Sequence, residues 1–263
     1  MRLKITIACL VLLISHVLHA GISVTNGLSH TFRVEPGKIY SGKICIQNVG
    51  STIEEVELKK TDLGTQSEGT YLFSDSINPF RSNRNWIIIN PTKSVINPNQ
   101  FINIEFEIKV PADKTLRGTY WSVIMLEPTN TVDSSSLNPG VRILTTTRYA
   151  IQIICNFNNA GIGSLEFQNP GLNIVGNTSF FDFTLVNKGE HLISPIASME
   201  LFDVSTGESV KVLKIPVKRI YPTTSKRLRF QLEGLPKDKP FKAMIVADGS
   251  GDDVFGMEYT IVQ

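Results

Sequence analysis

From Phe101 to Val110 apolar and polar residues alternate without a break. Ile102, Ile104, Phe106, Ile108 and Val110 share one phase, and Asn103, Glu105, Glu107 and Lys109 share the other. A period of two puts the two sets on opposite faces of a strand, so the segment predicts a half-buried strand of an antiparallel sheet. A Pro-Asn-Gln turn precedes it, and a Pro-Ala-Asp-Lys loop leads to a second strand at 118–127. Similar patterning at 22–34, 39–48, 54–62, 86–89 and 142–156 brings the set to about seven strands, the number of an immunoglobulin-like sandwich. Residues 156–163 (NFNNAGIG) form a small polar run. Beyond it, strands are expected near 165–168, 179–187, 196–203, 210–216, 226–233, 241–247 and 256–262. Turn residues punctuate both sets, among them Asn187-Lys188-Gly189, Thr206-Gly207 and Asp248-Gly249-Ser250-Gly251. No long segment has a helical period. The pattern predicts an all-β chain of two tandem immunoglobulin-like β-sandwich domains, at 21–158 and 163–263.

Two connections stand apart. Residues 63–85 are polar but carry Tyr71, Leu72, Phe73 and Phe80, and are expected to pack in part on the sheet. Residues 128–140 (PTNTVDSSSLNPG) have little to bury, and are expected to be mobile or ordered only on binding.

The first twenty residues read differently. Arg2 and Lys4 precede a mainly apolar run, Ile5 to Val17, and Leu18-His19-Ala20 ends on a small residue. This is the layout of a secretory signal peptide, and the run is short of the roughly 20 residues that span a bilayer. No later segment is long and apolar enough to cross, so the mature chain is expected to be exported without a membrane span. The leader holds two of the 26 basic residues and none of the 24 acidic ones, leaving the mature chain with no net charge. A neutral chain lacks the basic stripe that counterion release on nucleic acid requires. Nucleic-acid binding is not expected.

Export permits a disulfide between the remaining cysteines, Cys45 and Cys155. Cys45 lies between Ile44 and Ile46 and so faces away from them, whereas Cys155 shares the phase of Ile151 and Ile153. That mismatch argues against a bridge across the centre of the sandwich, and pairing stays open. Only His30 and His191 remain after the leader, one in each expected domain, where surface positions are expected. A hydrolytic triad, Cys-His pair or zinc site needs histidine beside its partners. No catalytic residue, metal or cofactor is therefore assigned, and the chain is not expected to be an enzyme. The stretch Asp248 to Asp253 has a calcium-loop look but lacks the downstream bidentate Glu, and reads as a hairpin turn. Asn177-Thr178-Ser179 is read as a turn as well.

Binding surfaces are the better candidates. Arg81, Arg84 and Trp86 cluster before one strand, and Tyr120 and Trp121 are adjacent, so one of the latter is expected to point outward. The strand at 141–156 is expected at a sheet edge, where unpaired backbone groups can accept an added strand.

Several short motifs resemble the PapD-like periplasmic chaperones of pilus assembly. They are Ile44-Cys-Ile-Gln-Asn48, Ile96-Asn-Pro-Asn-Gln100, Gly118-Thr-Tyr-Trp121 through Leu126-Glu-Pro128, the loop to Gly140 and the strand from Thr145 to Ile154. In the second domain, Pro222-Thr-Thr-Ser-Lys-Arg227 and Gly234-Leu-Pro236 add to the likeness. The resemblance implies two immunoglobulin-like domains, the first donating its last strand to an incomplete subunit. It also implies a cleft Arg near the first strand and a Lys on that last strand as anchors for the subunit's terminal carboxylate. Arg33 lies near the first position, and Arg148 is the nearest base to the second. The donor face here carries Leu144, Thr146, Arg148, Ala150 and Gln152, less apolar than the family's. The expected function is thus a non-enzymatic periplasmic module that binds a polypeptide partner, with Arg33, Arg148, Leu144, Thr146 and Ala150 as contacts. A secreted or surface-located structural or adhesive envelope protein is the alternative.

Overall fold

The computed structural model describes residues 21–75, 77, 80–129, 146–236, 239–249 and 253–262. The leader and most of the 128–140 loop lie outside these residues. In chain order the first strands are β1 (Ile22–Val24), β2 (Ser29–Val34), β3 (Ile39–Asn48), β4 (Glu54–Thr65), β5 (Tyr71–Ser74), β6 (Ile87–Asn90), β7 (Lys93–Ile96), β8 (Phe101–Lys109), β9 (Thr119–Pro128) and β10 (Tyr149–Phe157). Then come β11 (Leu165–Val175), β12 (Thr178–Asn187), β13 (Ile196–Asp203), β14 (Ser209–Pro216), β15 (Ser225–Gln231), β16 (Phe241–Asp248) and β17 (Val254–Ile261). One turn of 3-10 helix, Arg84–Trp86, leads into β6.

The first sandwich faces a sheet of order β1-β3-β8-β6 against one of order β2-β10-β9-β4-β5, with β7 also paired to β4. The alternation on β8 does what its period requires. Ile104, Phe106 and Ile108 are buried, and they meet Ile44 and Ile46 of β3 and Ile151, Ile153 and Cys155 of β10 in one core. Each such side chain contributes about 1.5–3 kcal/mol by leaving water. The second sandwich pairs β11-β12-β15 with β14-β13-β16-β17 around Phe181, Phe183, Phe230, Met199, Leu201 and Ile245. The architecture is all-β, with two immunoglobulin-like sandwiches in tandem.

The structure departs from the sequence pattern at several points. The stretch expected as a single strand at 22–34 is two strands in different sheets, β1 antiparallel to β3 and β2 parallel to β10. Between them Gly27 takes a φ of 88°, a left-handed turn that only glycine adopts without strain. Before that turn the Asn26 amide acts as one more strand residue, donating to the Lys43 carbonyl and accepting from the Cys45 N–H. The connection at 63–85 begins with three more residues of β4, Leu63 to Thr65, paired to β5 in a hairpin on which Tyr71, Leu72 and Phe73 stay exposed. β7 lies in a stretch where the sequence pattern predicts no strand. Cys45 and Cys155 are both free thiols, on opposite phases as expected, and burial pushes Cys155 up to about 12 despite a bond from Asn83.

Candidate functional site

β9 carries the site because both of its faces are buried. Ile124 and Leu126 face the first core, while Trp121 and Val123 face the other way. The sequence reading puts one of Tyr120 and Trp121 outward, and this is corrected. Tyr120 packs at 4.9 Å on Trp86 and at 5.6 Å on Phe157, and Trp121 is 1% exposed beneath the second sandwich. There Trp121 stacks on Tyr221 at 4.6 Å and donates its indole N–H to the Leu63 carbonyl at 3.0 Å. Leu63, Val123 and Ile154 complete this small core between the sandwiches, and burial pushes Tyr221 up to about 12.

Polar bonds fix the same junction. Thr119 N–H donates to the Glu190 carbonyl at 2.9 Å, and Leu192 N–H donates to Thr119 Oγ1 at 2.9 Å. The Glu190 carboxylate accepts Arg117 Nε at 2.7 Å, Arg81 Nη2 at 3.4 Å and the Ile162 N–H at 3.2 Å. Its bond from Arg117 holds its carboxyl below the usual carboxylate range. Arg81 is therefore buried at the junction instead of displayed, with its guanidinium over the Tyr120 ring.

Beside the junction lies a cleft of about 350 Å³, lined among others by Arg33, Thr119, Asn156, Asn158, His191 and Leu192. Arg33 is on β2, in register with Asn156 of β10. Its side chain is exposed and has no ion-pair partner among the described residues. His191 holds Asp253 at 2.6 Å through Nε2, and its Nδ1 is buried without a partner. The two histidines expected at the surface are each partly buried.

The other sequence-derived contacts lie elsewhere. Arg148 is 64% exposed just before β10, with Nη1 3.5 Å from Glu127. It stands eight positions before Asn156, so the strand rise separates it from Arg33 by roughly 25 Å. One carboxylate cannot bond both guanidinium groups, and the expected paired anchor is not assembled. Ala150 and Arg148 line a second groove of about 590 Å³, with Met125, Phe73, Lys59 and Glu127. Thr146 is exposed beside it, and Leu144 lies outside the described residues. Gln152 does not face a partner: its side-chain carbonyl accepts Arg219 Nη1 and the Tyr221 hydroxyl, each at 2.7 Å.

The expected edge strand is corrected in part. β10 pairs with β9 from Tyr149 to Asn156, and with β2 from Gln152 to Phe157. Only 149–151 keeps an open side among the described residues. Sequence reasoning missed the cleft roles of Thr119, which lies inside a quoted motif without a role of its own, and of Asn156 and Asn158, which read only as part of a polar run. The Trp121–Val123–Met125 phase was the one available signal for a covered second face.

No family model and no curated protein matches the sequence. Solved structures match the fold. One chain of a chaperone–tip adhesin complex of CFA/I fimbriae biogenesis aligns with a TM-score of 0.51 at 13% identity, over 92% of this chain and 99% of its own. The class 5 fimbriae chaperone CfaA aligns with a TM-score of 0.50 at 14% identity, over the same shares. The fold is PapD-like. At these identities the likeness is one of fold alone. Among the described residues no helix is long and apolar enough to cross a membrane.

Proposed function

We propose that this PapD-like chain binds an extended polypeptide in the periplasm, as an assembly chaperone for a pilus-type or surface subunit. The observation that carries this reading is the half-open strand β10. Its side at 149–151 presents backbone donors and acceptors to an added strand, and its far end enters the Arg33 cleft. Arg33 offers an unpaired guanidinium, whose planar fork suits a carboxylate such as a chain terminus. Ala150 lies in the open stretch, Arg148 and Thr146 precede it, and the three contact the partner's body. The leader at 1–20 carries the chain out of the cytoplasm. The likeness to a fimbriae chaperone supports the reading, because this chain aligns with it over 92% of its own length.

Co-purification of envelope polypeptides with the exported chain tests it. Arg33→Ala is expected to reduce capture about tenfold or more, since a charge-assisted hydrogen bond contributes roughly 1.5–3 kcal/mol. Arg148→Ala is expected to change it less than about threefold, because an exposed, already paired arginine contributes little. Undiminished capture by Arg33→Ala removes Arg33 from the site. A wild-type chain that retains no polypeptide overturns the reading.

A further inference from the structure

We propose that His30 makes β2 an acid-releasable cover on the second half of β10. Among the described residues β2 has a neighbour on one side only, and that neighbour is β10. Its inward residues are His30, Phe32 and Val34, where an apolar side chain is the usual occupant. Phe32 and His30 both meet Phe106 of β8 edge-on, at 6.0 and 6.1 Å. Phe106 is itself closely held at Gly42 of β3, where its ring takes up the space of a side chain and even a Cβ would come within 2.3 Å of it.

The ring of His30 is suited to one charge state in this place. Its Nε2 is buried and has no hydrogen-bond partner. A neutral imidazole can leave that nitrogen as a bare acceptor, but an imidazolium carries a donor on both nitrogens. The new N–H would be buried among apolar groups with no acceptor, and the charge would be buried with it. Burial accordingly lowers the pKa of His30 from its ordinary 6.5, opposed in part by the bond to the Gly27 backbone. The elements packed around it present Ile153 of β10 and Phe106 of β8. The other titratable groups on this inward side are Tyr40, Tyr120, Tyr149 and Cys155. Glu105 and Glu107 of β8 and Arg33 of β2 alternate onto the outer faces.

The sign follows from linkage. A detached β2 takes up the proton more readily than an attached one, so attachment is strongest above pH 6.5 and weakens as pH falls through that value. Release would lengthen the open side of β10 from 149–151 to 149–157, and would carry Arg33 out of the cleft. That consequence for binding rests on the function proposed above, whereas the release itself does not.

Hydrogen–deuterium exchange on the full chain without partner therefore tests it separately. Amides of 29–34 and 152–157, corrected for intrinsic rates, are expected to lose protection between pH 7.5 and 5.0. The loss approaches but does not exceed about tenfold per pH unit, the limit for one linked proton. Amides of β13 and β16 serve as the control. His30→Leu and His30→Phe are each expected to flatten the pH dependence, so a folding failure in one leaves the other as the comparison. Wild-type protection that does not fall, or that falls equally in a folded variant, overturns the proposal.

Discussion

Gly118→Ala is expected to destabilise the chain by about 3 kcal/mol or more, the sum of a backbone penalty and lost junction hydrogen bonds. Gly118 has a φ of 74°, so any side chain there begins with a strain of roughly 1 kcal/mol. The Cβ would also stand 1.9 Å from the Glu190 carbonyl oxygen and 2.6 Å from its carbon. These are backbone atoms, and no rotamer change relieves the overlap. The stretch from Glu190 to Leu192 would have to move away from β9, breaking the Thr119-to-Glu190 bond and the Leu192-to-Thr119 bond. On the other side, Gly118 donates to the Asn159 carbonyl and accepts from the Phe157 N–H, which ties β9 to the chain entering the second sandwich. Movement there opens the cleft wall formed by Asn156 and Asn158. Thermal unfolding followed by tryptophan emission reads this directly, since the two tryptophans are Trp86 in the first sandwich and Trp121 under Tyr221. The midpoint is expected to fall by roughly 6–12 °C for a chain of this size. A midpoint within about 2 °C of wild type would show that the close approach of Gly118 to Glu190 is not a stabilising feature.

Much of this architecture was legible because its signals are local. The alternation on β8, the turn residues after β12 and between β13 and β14, and the phase of Cys45 against Ile44 and Ile46 each concern neighbours in sequence. They placed most strands to within a few residues. What was not legible depends on which strand lies beside which. Nothing local says that β1 and β2 belong to different sheets, apart from Asn26-Gly27 between them, and Asn-Gly occurs in many ordinary turns. Trp121 belongs to a mainly apolar strand, as do Val123 and Met125, and such a run implies two covered faces. Taken locally the run is nevertheless one-sided, because the cover comes from Tyr221, a hundred positions on. The site shows the same division. Arg33 entered through resemblance, and only the parallel pairing of β2 to β10 sets it in a cleft. Arg148 entered by the same route, and the strand rise then put it far from Arg33. His30 is in phase with Phe32 and Val34, yet a lone histidine carries no local sign that a second sheet covers it, and it reads as a surface residue.

Asn48→Asp and Asn187→Asp are expected to be as damaging, at about 3 kcal/mol each, because each buried amide makes three bonds that an aspartate cannot all keep. The two asparagines occupy matching places at the ends of β3 and β12, each two residues before a glycine. In the first, Oδ1 accepts the Gly50 N–H at 2.9 Å while Nδ2 donates to the carbonyls of Thr52 and Ile96 at 2.7 and 2.9 Å. In the second, Oδ1 accepts the Gly189 N–H at 2.9 Å while Nδ2 donates to the carbonyls of His191 and Ile220, at 2.9 and 2.8 Å. Both side chains are 0% exposed, so no water can take over a lost bond without the strand end opening. A carboxylate keeps the acceptor but faces two buried carbonyls with no donor, a repulsive arrangement that Ala would avoid. Asp is therefore expected to cost more than Ala at both positions, although it is the closer match in shape. The consequences should differ by place. Asn48 closes the far end of the first sandwich, so its loss lowers stability and leaves the cleft as it is. Asn187 holds the His191 carbonyl, and through that stretch it positions Glu190 against Thr119 and Leu192 against the cleft. Loss of Asn187 is thus expected to reduce polypeptide capture in the protein that remains folded, and loss of Asn48 is not. Chemical denaturation and capture measured on both Asp variants decide the matter, and equal capture per folded molecule would separate the Asn187 amide from the cleft.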